Sequence, residues 1–138
     1  MTPTLFGRWQ TRLFLFATVG VLITLPFAIL LGKTIFFFVL LYLALLGLIW
    51  DILYIYLQKL RWDRDWPGIF QLAAGLWEAL FFILLVQFVG LANVTPDALP
   101  LPWFILHYSL VWLGTYIASQ TLMRIMFPRW RFRGGQLF

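Results

Sequence analysis

The chain has 138 residues, 63% of them hydrophobic and only 11% charged, with a net charge of +5 and no cysteine. Soluble domains run near 45–50% apolar and about 25% charged, so lipid must be the solvent for much of this surface. Disulfides, thiol catalysis, palmitoylation and cysteine-ligated metal are excluded, and the length allows one domain.

Residues 1–12, MTPTLFGRWQTR, read as a short basic head with Arg8 and Arg12. The first apolar run, 13–31, is nineteen residues without a charge, enough to cross a ~30 Å hydrocarbon core. It is long for a signal-peptide core and no A-x-A-like site follows, so it is expected to be a retained anchor. Ala17, Gly20, Thr24 and Ala28 form a stripe of small residues along it, and Pro26 should kink it. Gly32-Lys33-Thr34 is the only break before the second run, 35–57, which predicts a tight antiparallel hairpin.

The second run carries the clearest pattern. Ala44, Gly47, Asp51, Tyr54 and Gln58 recur at intervals of three and four, which places small and polar groups on one helical face. The turn that follows, KLRWDRDWP, alternates charge with Trp62 and Trp66, whose indoles belong at headgroup level. The third run, 68–91, holds Gln71, Gly75 and Glu78 on about one face. A loop with three prolines and no basic residue leads to the fourth run, 103–127, the most polar of the four. Thr115, Tyr116, Ser119, Gln120 and Thr121 require that helix to be enclosed or to line a cavity.

These runs predict an all-α, four-helix transmembrane bundle. Orientation follows from charge: Arg8, Arg12, Lys59, Arg61, Arg64, Arg124, Arg129, Arg131 and Arg133 fall on one side, and Lys33 alone on the other. The positive-inside rule then puts both termini in the cytoplasm.

Four ionisable residues lie within or at the edges of the spans. Glu78 sits ten residues into the third run, roughly 15 Å deep. It is expected to be protonated or turned toward a partner, with Thr115, Tyr116 and Gln120 at matching depth. It is either the centre of a proton- or ion-coupled site or a neutral acid joining two helices. Asp51 and Arg124 come to similar depth and are expected to pair, although Arg124 could snorkel to phosphate and Asp51 could reach Arg61 or Arg64. Glu78, Asp51, Arg124, Tyr116 and Gln120 are therefore the candidate intramembrane polar site. His107, the only histidine, reads as an interfacial anchor near the outer end. Arg61, Arg64, Arg129, Arg131 and Arg133 are candidates for contact with anionic headgroups or a partner protein. No hydrolase, zinc-protease or nucleotide-binding motif is present, which argues against an enzyme and against a cofactor, and one RGG is not a nucleic-acid-binding array.

WDILYIYLQKLRWDRDWP and FPRWRFRGG together resemble a family of small bacterial four-span integral membrane proteins to which no activity is attached. The resemblance covers most of the chain. It implies the four-helix membrane fold and a bacterial inner membrane, and it carries over no functional residue. Three functional expectations follow. The first is a non-catalytic subunit, scaffold or assembly factor of a membrane complex, associating with other subunits or with itself. The second is a small transporter or channel centred on Glu78, and the last a lipid-modifying enzyme.

Overall fold

The computed structural model describes residues 3–138. Four helices are long and apolar enough to cross a membrane: α1 (Leu5–Leu31), α2 (Ile35–Leu60), α3 (Gly68–Phe88) and α4 (Leu101–Met126). The all-α, four-helix architecture expected from the apolar runs is the one observed. Residue Met1, placed with the cytoplasmic head by its charge pattern, lies outside the described residues, as does Thr2.

The main departure is at the beginning. The first span starts eight residues earlier than the uncharged run, so Arg8 and Arg12 are helical rather than a loose head. Thr4 caps it by accepting from the Gly7 amide at 3.1 Å. Charge defined the edge of the hydrophobic run, but the helix needs only backbone hydrogen bonds and a buried destination for its two cations.

Within α1, Phe16–Gly20 form one π turn, in which the Val21 amide reaches back to the Phe16 carbonyl. Its geometric effect is large. On an unbroken α-helix Thr24 would stand about 120° round from Arg12, at about 100° per residue. The extra residue of the π turn takes back about 100° of that, and turns Arg12, Gly20 and Thr24 toward the bundle together. Gly20 and Thr24 are buried and Ala28 is half-buried, but Ala17 is exposed, so only part of the small-residue stripe is an interface.

Gly32, in the left-handed region at φ 62°, ends α1 and makes the tight hairpin into α2. On α2, Ala44, Gly47, Asp51, Tyr54 and Gln58 are all buried, as their spacing requires. α2 packs most closely on α1, while α3 meets α2 along a shorter stretch and is spaced from α4 by aromatic rings. Phe82 and Phe104 stack at 5.1 Å, and the Trp112 indole occupies the place a side chain on Gly75 would take. Around this stack Phe36, Val39, Leu43 and Val86 form a dense apolar core at the Lys33 end of the bundle.

α4 is interrupted at Thr121 and resumes for Leu122–Met126. The tail then turns back. Trp130–Arg133 form one 3-10 turn, and Trp130 is buried with its indole N–H donating to Thr11 Oγ1 at 2.8 Å. The Thr4 amide donates to the Gly134 carbonyl at 2.8 Å and the Leu137 amide to Gln10 Oε1 at 2.8 Å. Gly7 is required here, because a methyl group on it would strike the Gly134 carbonyl. The tail, expected to leave the membrane as a topology signal, turns back as a latch that holds the start of α1 at one end of the bundle.

Candidate functional site

Arg12, on α1, lies across the buried face of α2. Its Nε and Nη2 donate to the two oxygens of Asp51, each at 2.9 Å. Its Nη1 and Nη2 donate to the two oxygens of Glu78 on α3, at 2.9 and 3.0 Å. Both carboxylates are nearly out of solvent, 3% and 10% exposed, and one guanidinium satisfies both in two-pronged geometry. Gly47 makes the crossing possible, since any Cβ there would meet the guanidinium. One basic side chain thereby fixes α1, α2 and α3 relative to one another.

This corrects the expected pairing. Asp51 belongs to Arg12, not to Arg124 and not to Arg61 or Arg64. Arg124 instead donates to Gln120 Oε1 one turn away at 2.5 Å and remains exposed. Glu78 is partnered from α1, not from Thr115, Tyr116 or Gln120. The hydroxyls of Thr115 and Ser119 donate to carbonyls of their own helix, which is how α4 carries so many polar groups.

Even so, the five candidates share one place. Glu78, Asp51, Arg124, Tyr116 and Gln120 all line a single cavity of about 390 Å³. The ion triad forms one wall and α4 the facing wall, where Trp112 and Tyr116 stack in parallel at 5.2 Å. Gly68, Gly135 and Arg124 border it at the end where Thr4 meets Gly134. Leu43 and Val111 border it in the opposite direction, and beyond Leu43 the apolar core begins.

Arg8, one turn before Arg12, also lines the cavity. Its Nη2 donates to Gln58 Oε1 at 3.2 Å and its guanidinium lies 4.5 Å from the centre of the Trp66 ring. Neither Arg8 nor Arg12 was expected in the site. The available signal was spacing: Arg8, Arg12, Phe16, Gly20 and Thr24 stand at intervals of four. The other signal was need, because two buried acids require a cation.

The basic residues expected at headgroups separate into two groups. Arg64, Arg129, Arg131 and Arg133 are exposed. Arg61 is committed to Asp63, donating from Nε at 3.0 Å and from Nη2 at 2.8 Å. Those bonds, joined by one from the Asp65 amide, hold the Asp63 carboxyl down to about 2.

His107 is no interfacial anchor. It is fully buried between α1 and α4, with Nε2 2.9 Å from Thr24 Oγ1 and its ring against Phe27 and Phe36. Thr24 donates to the Gly20 carbonyl at 2.7 Å, which leaves its oxygen to accept from the Nε2–H tautomer of His107. Among the described residues, no three histidine or carboxylate side chains converge as a metal site. No known protein family, curated protein or solved structure matches the chain.

Proposed function

We propose that this chain is a small non-catalytic membrane carrier, which admits a polar solute to the cavity beside the Arg12–Asp51–Glu78 triad. The observation supporting this is the placement of the triad on a cavity wall. Charges that only staple helices gain little over apolar packing, because their desolvation offsets their attraction. An arginine shared by two carboxylates beside a cavity has a second use. A proton or cation taken up by either acid releases part of the guanidinium, and changes how three helices are held. Alternating access would require the cavity to open toward each side in turn, and the apolar core beyond Leu43 would be its barrier on the Lys33 side.

On this reading the latched end faces the cytoplasm of a bacterial inner membrane, in keeping with the basic residues gathered there. A second reading, an accessory subunit or scaffold, is favoured by a different observation. Arg129, Arg131, Phe132 and Arg133 are exposed on a tail held against the bundle by Trp130, a fixed basic surface suited to anionic headgroups or an acidic partner.

Purified protein in sealed vesicles, assayed for proton and small-solute flux, tests the carrier. Flux above empty vesicles is expected, with loss on Ala74→Phe, which fills the cavity, and on Glu78→Gln. Folded protein that moves nothing, and purifies with a stoichiometric partner, would overturn the carrier in favour of the subunit.

A further inference from the structure

Two donors in the cavity wall lack an acceptor among the described residues. Arg8 Nε and Trp66 Nε1 are both buried and both unpartnered, and their side chains are stacked on each other. Unpartnered buried donors are uncommon, and each such group calls for an explanation. They line the same cavity as Arg124, whose guanidinium has no carboxylate in ion-pair range among the described residues.

The acids of the cavity supply no acceptor to Arg8 Nε or Trp66 Nε1. Asp51 and Glu78 have their oxygens turned to Arg12. Asp65, the third acid on the wall, is engaged as well. What the cavity leaves open is donor capacity, near the end rich in basic residues.

We infer that Arg8, Trp66 and Arg124 form a binding site for a phosphate group, carried either by a free solute or by a lipid headgroup. The three donors come from separate elements: the first turns of α1, the loop before α3, and the last turn of α4. An acceptor serving all three must present oxygens on several sides. Tetrahedral phosphate does this, whereas a planar carboxylate presents two oxygens in one plane. The aromatic face of Trp66 holds the Arg8 guanidinium, while the indole N–H supplies a neutral hydrogen bond beside it. The inference rests on the carrier reading for its cavity and names the chemistry of what enters.

Two probes separate the sources. Sodium phosphate is titrated calorimetrically into protein in neutral detergent, against sodium chloride. Short-chain phosphatidylglycerol is added to the same preparation and counted by native mass spectrometry. One of the two is expected to bind: phosphate alone identifies a solute, and the lipid alone a headgroup. Arg8→Gln should weaken that binding by about tenfold or more, as loss of a charged hydrogen-bonding partner does. Trp66→Phe keeps the ring under Arg8 and removes only the N–H, and should weaken it about fivefold. Arg131→Gln, on the exposed tail, should leave it unchanged. If Arg8→Gln fails to fold, Trp66→Phe decides alone. Binding of neither probe, or binding indifferent to Trp66→Phe and, where it folds, to Arg8→Gln, would overturn the site. Solute flux that Ala74→Phe stops, with no phosphate or lipid bound, would overturn the phosphate site and leave the carrier standing. Arg8-dependent binding without flux would uphold the site and remove the carrier.

Discussion

Replacing Arg12 with Gln tests the centre of the structure. Four contacts of 2.9–3.0 Å end at once, and two carboxylates that are 3% and 10% exposed lose their cation together. Removing one partner of a buried pair costs about 3–5 kcal/mol, because the remaining charge is stranded. Here two acids are stranded in one site, so the loss should reach at least that range, on the order of half the stability of an ordinary domain. Arg12→Lys should recover only part of it, since a point charge cannot grip two carboxylates in two-pronged fashion. The triple variant Arg12→Gln/Asp51→Asn/Glu78→Gln should be more stable than Arg12→Gln alone, because no charge is left without a partner. Reversible unfolding in mixed micelles, followed by circular dichroism, measures all three. An Arg12→Gln protein within about 0.5 kcal/mol of the parent, the range of an inert surface change, would refute the reasoning.

Other consequences are local. Gly47→Ala places a methyl where the Arg12 guanidinium lies and should cost about 1–3 kcal/mol as overpacking, read from the same unfolding curves. Thr24→Val removes the acceptor of His107 with little change in volume. It should cost about 0.6 kcal/mol, the average measured for hydrogen bonds between membrane helices, and at most about 1.7, and the His107 ring signals in NMR should move with it. Asp63, held at about 2, differs from a free carboxyl in the direction that adds stability above its unfolded range; that contribution disappears as pH falls through about 2. Its carboxyl carbon should titrate near that value by NMR, and Arg61→Gln should return it toward about 3.9.

How far the sequence predicted this arrangement depended on whether a residue's partner was near in chain or far. The row from Ala44 to Gln58 was legible because helix periodicity alone puts its members on one side, and all five are buried. The cavity on α4 was legible for a related reason, as that many hydroxyl and amide groups cannot face lipid. The partner of Glu78 was not, because depth counted from uncharged runs excluded Arg12 from the membrane in advance. The guanidinium is carried inward by a helix that begins at Leu5 and by a π turn, and neither leaves a motif. His107 was misplaced similarly. Proximity to Trp103 suggested an interface, whereas its position follows from Thr24, eighty-three residues away in the chain.

The latch between Thr4 and Gly134 has an implication for the order of assembly. α1 is made well before Trp130 through Leu137, the groups that hold its beginning in place. At synthesis rates of about 5–20 residues per second, α1 waits on the order of ten seconds for them. Asp51 and Glu78 reach Arg12 well before then, so electrostatics must tether the nascent hairpin early. Closure of the ring is left to a segment made after all four helices.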